Sequence, residues 1–130
     1  MTTLKNTLMI KIKNANNIIK NIEQEYLKTD IPNLDVGDTV QIGVLIQEGN
    51  KERIQFSEGV IISIHNSNLN KTVTLRRVFQ GIGVEKVYLI HSPRIKQIKV
   101  LRKSKVRRAK LYYLRDKIGK ATRLKQKFIK

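Results

Sequence analysis

The amino-acid sequence predicts a mainly β protein: a small, strongly bent β-barrel with an N-terminal α-helix and a basic, partly helical C-terminal extension. Three observations carry that reading. Five short strand-like stretches lie between Thr39 and Leu101; the first three place alternate apolar residues on one face, the period of a half-buried strand, and glycine-containing bends occur among them. Ahead of them, apolar residues recur at three- and four-residue steps. From Arg94 onward the chain holds sixteen Lys and Arg residues against one acid, Asp116. That is +15 of the +17 total, so the first ninety-three residues carry only +2.

At 130 residues the chain is one domain with extensions. Residues 1–13 read as a flexible extension. Over residues 14–29, Ala15, Ile19, Ile22 and Tyr26 mark one face of a helix, and Ile12 extends the series backward. Asn residues weaken this helix and Pro32 closes it. Its expected role is packing on the body, with partner docking as the alternative.

The barrel spans residues 33–101. A turn at Val36-Gly37-Asp38 leads into a strand over 39–47, with Val40, Ile42, Val44 and Ile46 alternating. Gly49-Asn50 is the hairpin tip. The return strand, 54–65, places Val60, Ile62 and Ile64 on one face, and Gly59 suggests a bulge or tight bend. A third strand over 72–79 puts Val73, Leu75 and Phe79 together, although Arg77 falls on the same side. Gly81 and Gly83 bend the chain into a fourth strand, 84–90. His91-Ser92-Pro93 breaks it, and a fifth follows over 95–101. Five bent strands of this length point to an SH3-like barrel, with an OB-type barrel as competitor. The expected core is Val40, Ile42, Val44, Val60, Ile62, Ile64, Val73 and Leu75.

The extension, 102–130, is more than a charge run. Arg102, Lys103, Lys105, Arg107, Arg108, Lys110, Arg115, Lys117, Lys120, Arg123 and Lys125 are interleaved with Tyr112, Tyr113 and a helically spaced stripe of Leu111, Leu114 and Ile118. Gly119 stands where a helix would stop. Such a segment repels itself and orders when a polyanion neutralises it. Arg grips phosphate with a bidentate fork, and Tyr stacks on bases. A nucleic-acid contact is the preferred reading; an anionic membrane surface and a solvated tail are the alternatives. Of the two tyrosines, one is expected to stack or touch a backbone and the other to pack. Arg76 and Arg77 would join the tail as one basic face, with Gly81 and Gly83 permitting close backbone approach. Since residues 1–101 hold the helix and all five strands, the body is expected to fold without the tail.

Other chemistries find little support. There is no Cys, hence no disulfide or thiolate metal site. No stretch approaches the ~18 apolar residues of a membrane span, and the N-terminus resembles neither a secretory signal nor a transit peptide. His65 and His91 lack partners at ligand spacing. His91-Ser92 has no visible orienting acid. Gly81-Ile82-Gly83 lacks the third glycine and the following helix of a dinucleotide site. Glu23, Glu25, Glu48 and Glu52 read as solubilising surface. The sequence thus implies no enzyme, metal, cofactor, membrane or small-molecule substrate.

The run from Arg76 to Tyr88 (RRVFQGIGVEKVY), His91-Ser92-Pro93, the run from Lys105 to Arg115 (KVRRAKLYYLR) and Gly119-Lys120-Ala121 closely resemble the large-subunit ribosomal protein L-nineteen family of bacteria and plastids. Asp30-Ile31-Pro32, the run Val36–Val40 and the run Phe56–Val60 match as well, so the resemblance covers about Ile18 to the C-terminus. Tyr88 stands where the family usually has Phe, and residues 1 to about 15 have no counterpart. The resemblance implies an SH3-like barrel in a structural, non-enzymatic protein at the subunit interface. It implies binding to large-subunit rRNA, contact with small-subunit rRNA in an intersubunit bridge, and neighbouring large-subunit proteins. Lys, Ile and Asn make up 46 of 130 residues and Lys outnumbers Arg 18 to 9, the bias of an A+T-rich genome. A chloroplast ribosome is the preferred location, and a bacterial cytoplasm the alternative.

Overall fold

The computed structural model of the chain describes residues 2–128. In chain order the elements are α1 (Thr2–Tyr26), β1 (Thr39–Glu48), β2 (Lys51–His65), β3 (Thr72–Phe79), β4 (Ile82–Leu89), β5 (Ile95–Arg102), β6 (Ser104–Lys105) and β7 (Lys125–Gln126). Short 3-10 turns occupy Asn68–Asn70, Tyr112–Asp116 and Gly119–Thr122. β1 to β5 form one antiparallel sheet in the order β4-β3-β2-β1-β5. β1 pairs with both β2 and β5, the return that curls a meander into the expected barrel-like fold. Two-residue loops close the β1–β2 and β3–β4 hairpins. Gly49-Asn50 joins the paired Glu48 and Lys51, and Gln80-Gly81 joins Phe79 and Ile82. Gln80 (φ 51) and Gly81 (φ 78) both take the left-handed conformation, which matches the twist of the strands they connect.

Two apolar cores lie on opposite sides of the sheet. The main one gathers Leu34, Val40, Ile42, Ile61, Val73, Leu75, Ile90 and Ile95. The second consists of Ile62, Leu111 and Leu114, flanked by Val106, Tyr113 and Leu124. The expected face of Val60, Ile62 and Ile64 is therefore corrected. In the β2–β3 ladder Ile61 pairs with Leu75 and Ser63 with Thr74, so Ile62 is an inserted residue, a bulge. The insertion shifts the alternation by one. Ile61 and Ile64, three residues apart, both pack on the main core, while Ile62 packs on the other. Val44 and Ile64 are half-buried at the core edge, and Val60 is half-buried outside it.

The tail docks on this bulge. The Ile62 carbonyl has no partner in the ladder and accepts the Leu111 N–H at 2.8 Å. The Lys110 ammonium donates to the Ile64 carbonyl at 2.9 Å. Gly37 (φ 96) faces Val106, and a Cβ there would stand 2.7 Å from its Cγ1, so only glycine suits both the turn and the contact. β6 and β7 pair, Ser104 with Gln126 and Lys105 with Lys125, folding the tail back on itself. The expected helical stripe is corrected too. Leu111 and Leu114 are buried, but Ile118 is 91 % exposed, and the segment is built from 3-10 turns with Gly119 at φ 66. A continuous helix would have crowded its cations around a stripe too narrow to offset their repulsion. A short turn needs only two inward leucines.

α1 begins at Thr2, where a flexible extension was expected, and ends at Tyr26. Residues 2–13 contain neither Gly nor Pro, and Leu4, Leu8 and Ile12 continue the helical spacing. The helix touches the 3-10 turn Asn68–Asn70, but over residues 14–26 its apolar face is not buried as expected: Ile18, Ile19, Ile22 and Tyr26 are each more than half exposed. The chain after it is latched to the barrel at Lys28. The Lys28 N–H donates to His91 Nδ1 at 3.1 Å, and its ammonium donates to the Ser92 and Ile95 carbonyls. Burial lowers the pKa of both groups; Lys71 and Lys28 depress that of His91 further, which keeps its ring neutral and able to accept.

Ile62 links barrel to tail, so its side chain is a probe of that junction. Ile62→Ala is expected to cost about 2–5 kcal/mol in urea unfolding, because it leaves a cavity against Leu111 and Leu114. A cost below about 1 kcal/mol would contradict the second core.

Candidate nucleic-acid interface

The folded tail makes a basic groove. Lys105, Val106, Arg107 and Arg108 line it together with Tyr113, Lys117, Arg123, Leu124 and Lys125 from later in the tail. The β6–β7 pair brings Lys105 and Lys125 opposite each other, twenty residues apart in the chain. Tyr113 is half-buried against the second core, and the Arg108 guanidinium lies 5.1 Å from its ring centre. Six cations thus line this groove without an acid among the lining residues. Concentrated like charge in a concave surface raises the local potential and attracts a polyanion.

Arg76 and Arg115 are used differently. Both meet Glu85 on β4, directly across the ladder from Arg76. Glu85 Oε1 accepts from Arg76 Nη1 at 2.9 Å and from Arg115 Nε at 2.8 Å, and Oε2 accepts from Arg115 Nη2 at 2.8 Å. The Arg115 fork, assisted by Arg76 and opposed by burial, holds the Glu85 carboxyl below its ordinary range. The cluster's contribution to stability is therefore present above about pH 4.5 and lost as acidification protonates the carboxylate. Arg76 and Glu85 keep only 16 % and 24 % of their side-chain exposure, so this pair is less screened by solvent than the pair with Arg115, which is 49 % exposed. The Arg76 guanidinium also lies over Gly83, where a Cβ would stand 2.8 Å from its Cζ.

Arg76 and Arg77 line one hollow with Leu114 and Thr122 of the tail, but their side chains part. Successive strand residues point oppositely; Arg76 turns to the tail, while Arg77 reaches over Phe79, 5.5 Å from the ring centre. Gly81 lies exposed at the hairpin tip. Arg102 donates to the Leu124 carbonyl at 3.1 Å, and the Lys103 carbonyl accepts from the Lys127 N–H. Lys120 projects from the last 3-10 turn. Tyr112 is the more exposed tyrosine; its hydroxyl is 3.4 Å from His65 Nε2, and Arg115 lies 4.6 Å from its ring centre. Lys110 reaches His65 Nδ1 at 3.3 Å. Tyr113 is thus the packing tyrosine of the expected pair. Glu85 was missed from the sequence, although a signal existed. A two-residue loop at Gln80-Gly81 places residue 85 opposite residue 76, an acid against an arginine.

Comparison with known proteins gives a consistent result. A family model described as Ribosomal protein L19 matches residues 17–127. "Large ribosomal subunit protein bL19c" of Mesostigma viride is 64 % identical over 117 residues, covering 90 % of this chain and 98 % of that protein. The same-named protein of Rhodomonas salina is 64 % identical over 110 residues, 85 % and 90 % of the two chains. "Large ribosomal subunit protein bL19" of Crocosphaera subtropica is 62 % identical over 115 residues, 88 % and 96 % respectively.

The glycine bend yields a paired test. Gly83→Val would drive the Arg76 guanidinium off its seat and away from Glu85, whereas Ile82 is 68 % exposed. Gly83→Val is expected to lower the thermal midpoint by several degrees, with Ile82→Val within about 0.5 kcal/mol of the parent. Equal tolerance would show that the bend has no special role.

Proposed function

The chain belongs to the ribosomal protein L19 family, a family of structural proteins and not of enzymes, and from that premise we propose that it binds large-subunit rRNA through the groove at Lys105–Arg108, Lys117 and Arg123–Lys125. The carrying observation is the groove itself, with six cations converging from separate stretches of the tail and Tyr113 in its wall. Phosphate contacts by such side chains supply affinity that depends on salt but little on sequence. Arg102, Lys103, Lys110 and Lys120 lie on the same tail and extend the footprint. Tyr112 borders it.

In this reading the protein is a constituent of the large ribosomal subunit and acts in translation. It stands at the interface with the small subunit, reaches small-subunit rRNA there and contributes to an intersubunit bridge. The hairpin of β3 and β4 leaves Val78, Phe79 and Ile82 more than half exposed, which suits contact with neighbouring ribosomal proteins better than contact with solvent. Close relatives in cyanobacteria and plastids place the ribosome in a plastid or in a bacterial cytoplasm.

The groove is tested by salt dependence. Each lost phosphate contact flattens the log–log slope by about 0.7–0.9. Replacing Arg107, Arg108 and Arg123 together by Gln should flatten the slope for rRNA by roughly two to three units. Lys20→Gln, on the distant helix, should leave it unchanged. An unaltered slope in the triple variant, or preference for anionic vesicles over rRNA, would remove this assignment.

A further inference from the structure

We propose that Glu85 is the residue that positions and restricts this RNA surface: it docks the Tyr112–Asp116 turn on the barrel and withholds Arg76 and Arg115 from phosphate. The inference rests on the rRNA-binding reading above and deepens it. An arginine takes a phosphate best through two parallel N–H groups on one edge. In Arg115 the Nε–Nη2 edge is already spent on the two Glu85 oxygens, each at 2.8 Å. Its face lies on Tyr112 at 4.6 Å. Arg76 is held at 2.9 Å by the same carboxylate, keeps 16 % of its side-chain exposure and is seated on Gly83. A phosphate can take the Nε–Nη2 edge of Arg115, or the Nη1 of Arg76, only by displacing a carboxylate fixed opposite Arg76 in the hairpin ladder. The groove cations meet no such competitor among their lining residues.

Two consequences follow. The turn carrying Leu114 and Arg115 is fixed before RNA arrives, so the groove presents its charges at set spacings. In addition, two cations that could grip any passing phosphate are removed from the binding set. Both effects favour an RNA whose phosphates match the groove over a flexible strand that can follow any charge.

The test compares the full-length protein with Glu85→Gln, using deproteinised large-subunit rRNA and poly(U) as probes. Circular dichroism first establishes that each variant is folded at the assay temperature. Releasing two arginines should steepen the salt slope for both probes by about one to two units. The ratio of affinities, rRNA over poly(U), should fall several-fold. Arg115→Gln should leave the slope unchanged in the parent and lower it by about one unit in the Glu85→Gln background. A purely structural role for Glu85 would lower affinity without that crossed dependence. Parent-like slope and ratio in Glu85→Gln, or a one-unit loss from Arg115→Gln already in the parent, would overturn the inference alone. A parent protein that fails to bind rRNA would overturn the functional reading and this inference with it.

Discussion

The bulge at Ile62 is the constraint on which the rest of the structure depends. By inserting one residue between the paired Ile61 and Ser63, it frees a carbonyl from the ladder and turns an isoleucine to the outside of the sheet. Both would be costly if left alone: a buried carbonyl wants a donor, and Ile62 is fully buried only because something covers it. The tail answers both needs, with the Leu111 N–H on the carbonyl and Leu111 and Leu114 on the side chain. Burying side chains of this size contributes roughly 1.5–3 kcal/mol each. That is the attraction available to hold a segment whose own charges repel it.

The repulsion is managed residue by residue. Glu85 takes two arginines, the Ile64 carbonyl takes Lys110, the Leu124 carbonyl takes Arg102, and the rings of Tyr113 and Tyr112 lie under Arg108 and Arg115. These contacts sit close to the second core. Lys105, Arg107, Lys117, Arg123 and Lys125 gather with Arg108 in the groove. The same segment therefore does two jobs: its inner side completes a barrel, and its outer side concentrates positive charge. RNA neutralising the outer side would relieve the strain that the inner side resists.

Much of this was legible in the sequence. One-face patterns and turn residues located all five barrel strands, and Gly49-Asn50 marked a hairpin tip, because period and turn chemistry are local properties; the turn expected over residues 80–83 proved to be the two residues Gln80-Gly81, with the strand starting at Ile82. The bulge was not legible in the same way. Val60, Ile62 and Ile64 alternate perfectly on paper, and only the partner strand reveals that one of them is extra. Leu111 and Leu114 were visible as an apolar pair, but their spacing reads equally as a helix stripe or as a 3-10 turn docked elsewhere. The parting of the Arg76 and Arg77 side chains follows from strand alternation, whereas the meeting of both residues with Leu114 and Thr122 of the tail depends on long-range folding. Helix α1 extended beyond its expected start because its residues form helix well, while Ile18, Ile19, Ile22 and Tyr26 stayed more than half exposed.

Tail and barrel form one structure before RNA is bound. The amide of Leu111 reports on it directly, because its bond to the Ile62 carbonyl is the junction itself. Hydrogen exchange measured on the RNA-free protein should show this amide protected by roughly 100-fold or more over the free-peptide rate, as befits a closed part of a fold. Exchange at the free-peptide rate, with the amides of Ile61 and Val73 still protected, would mean that the tail docks only when RNA does.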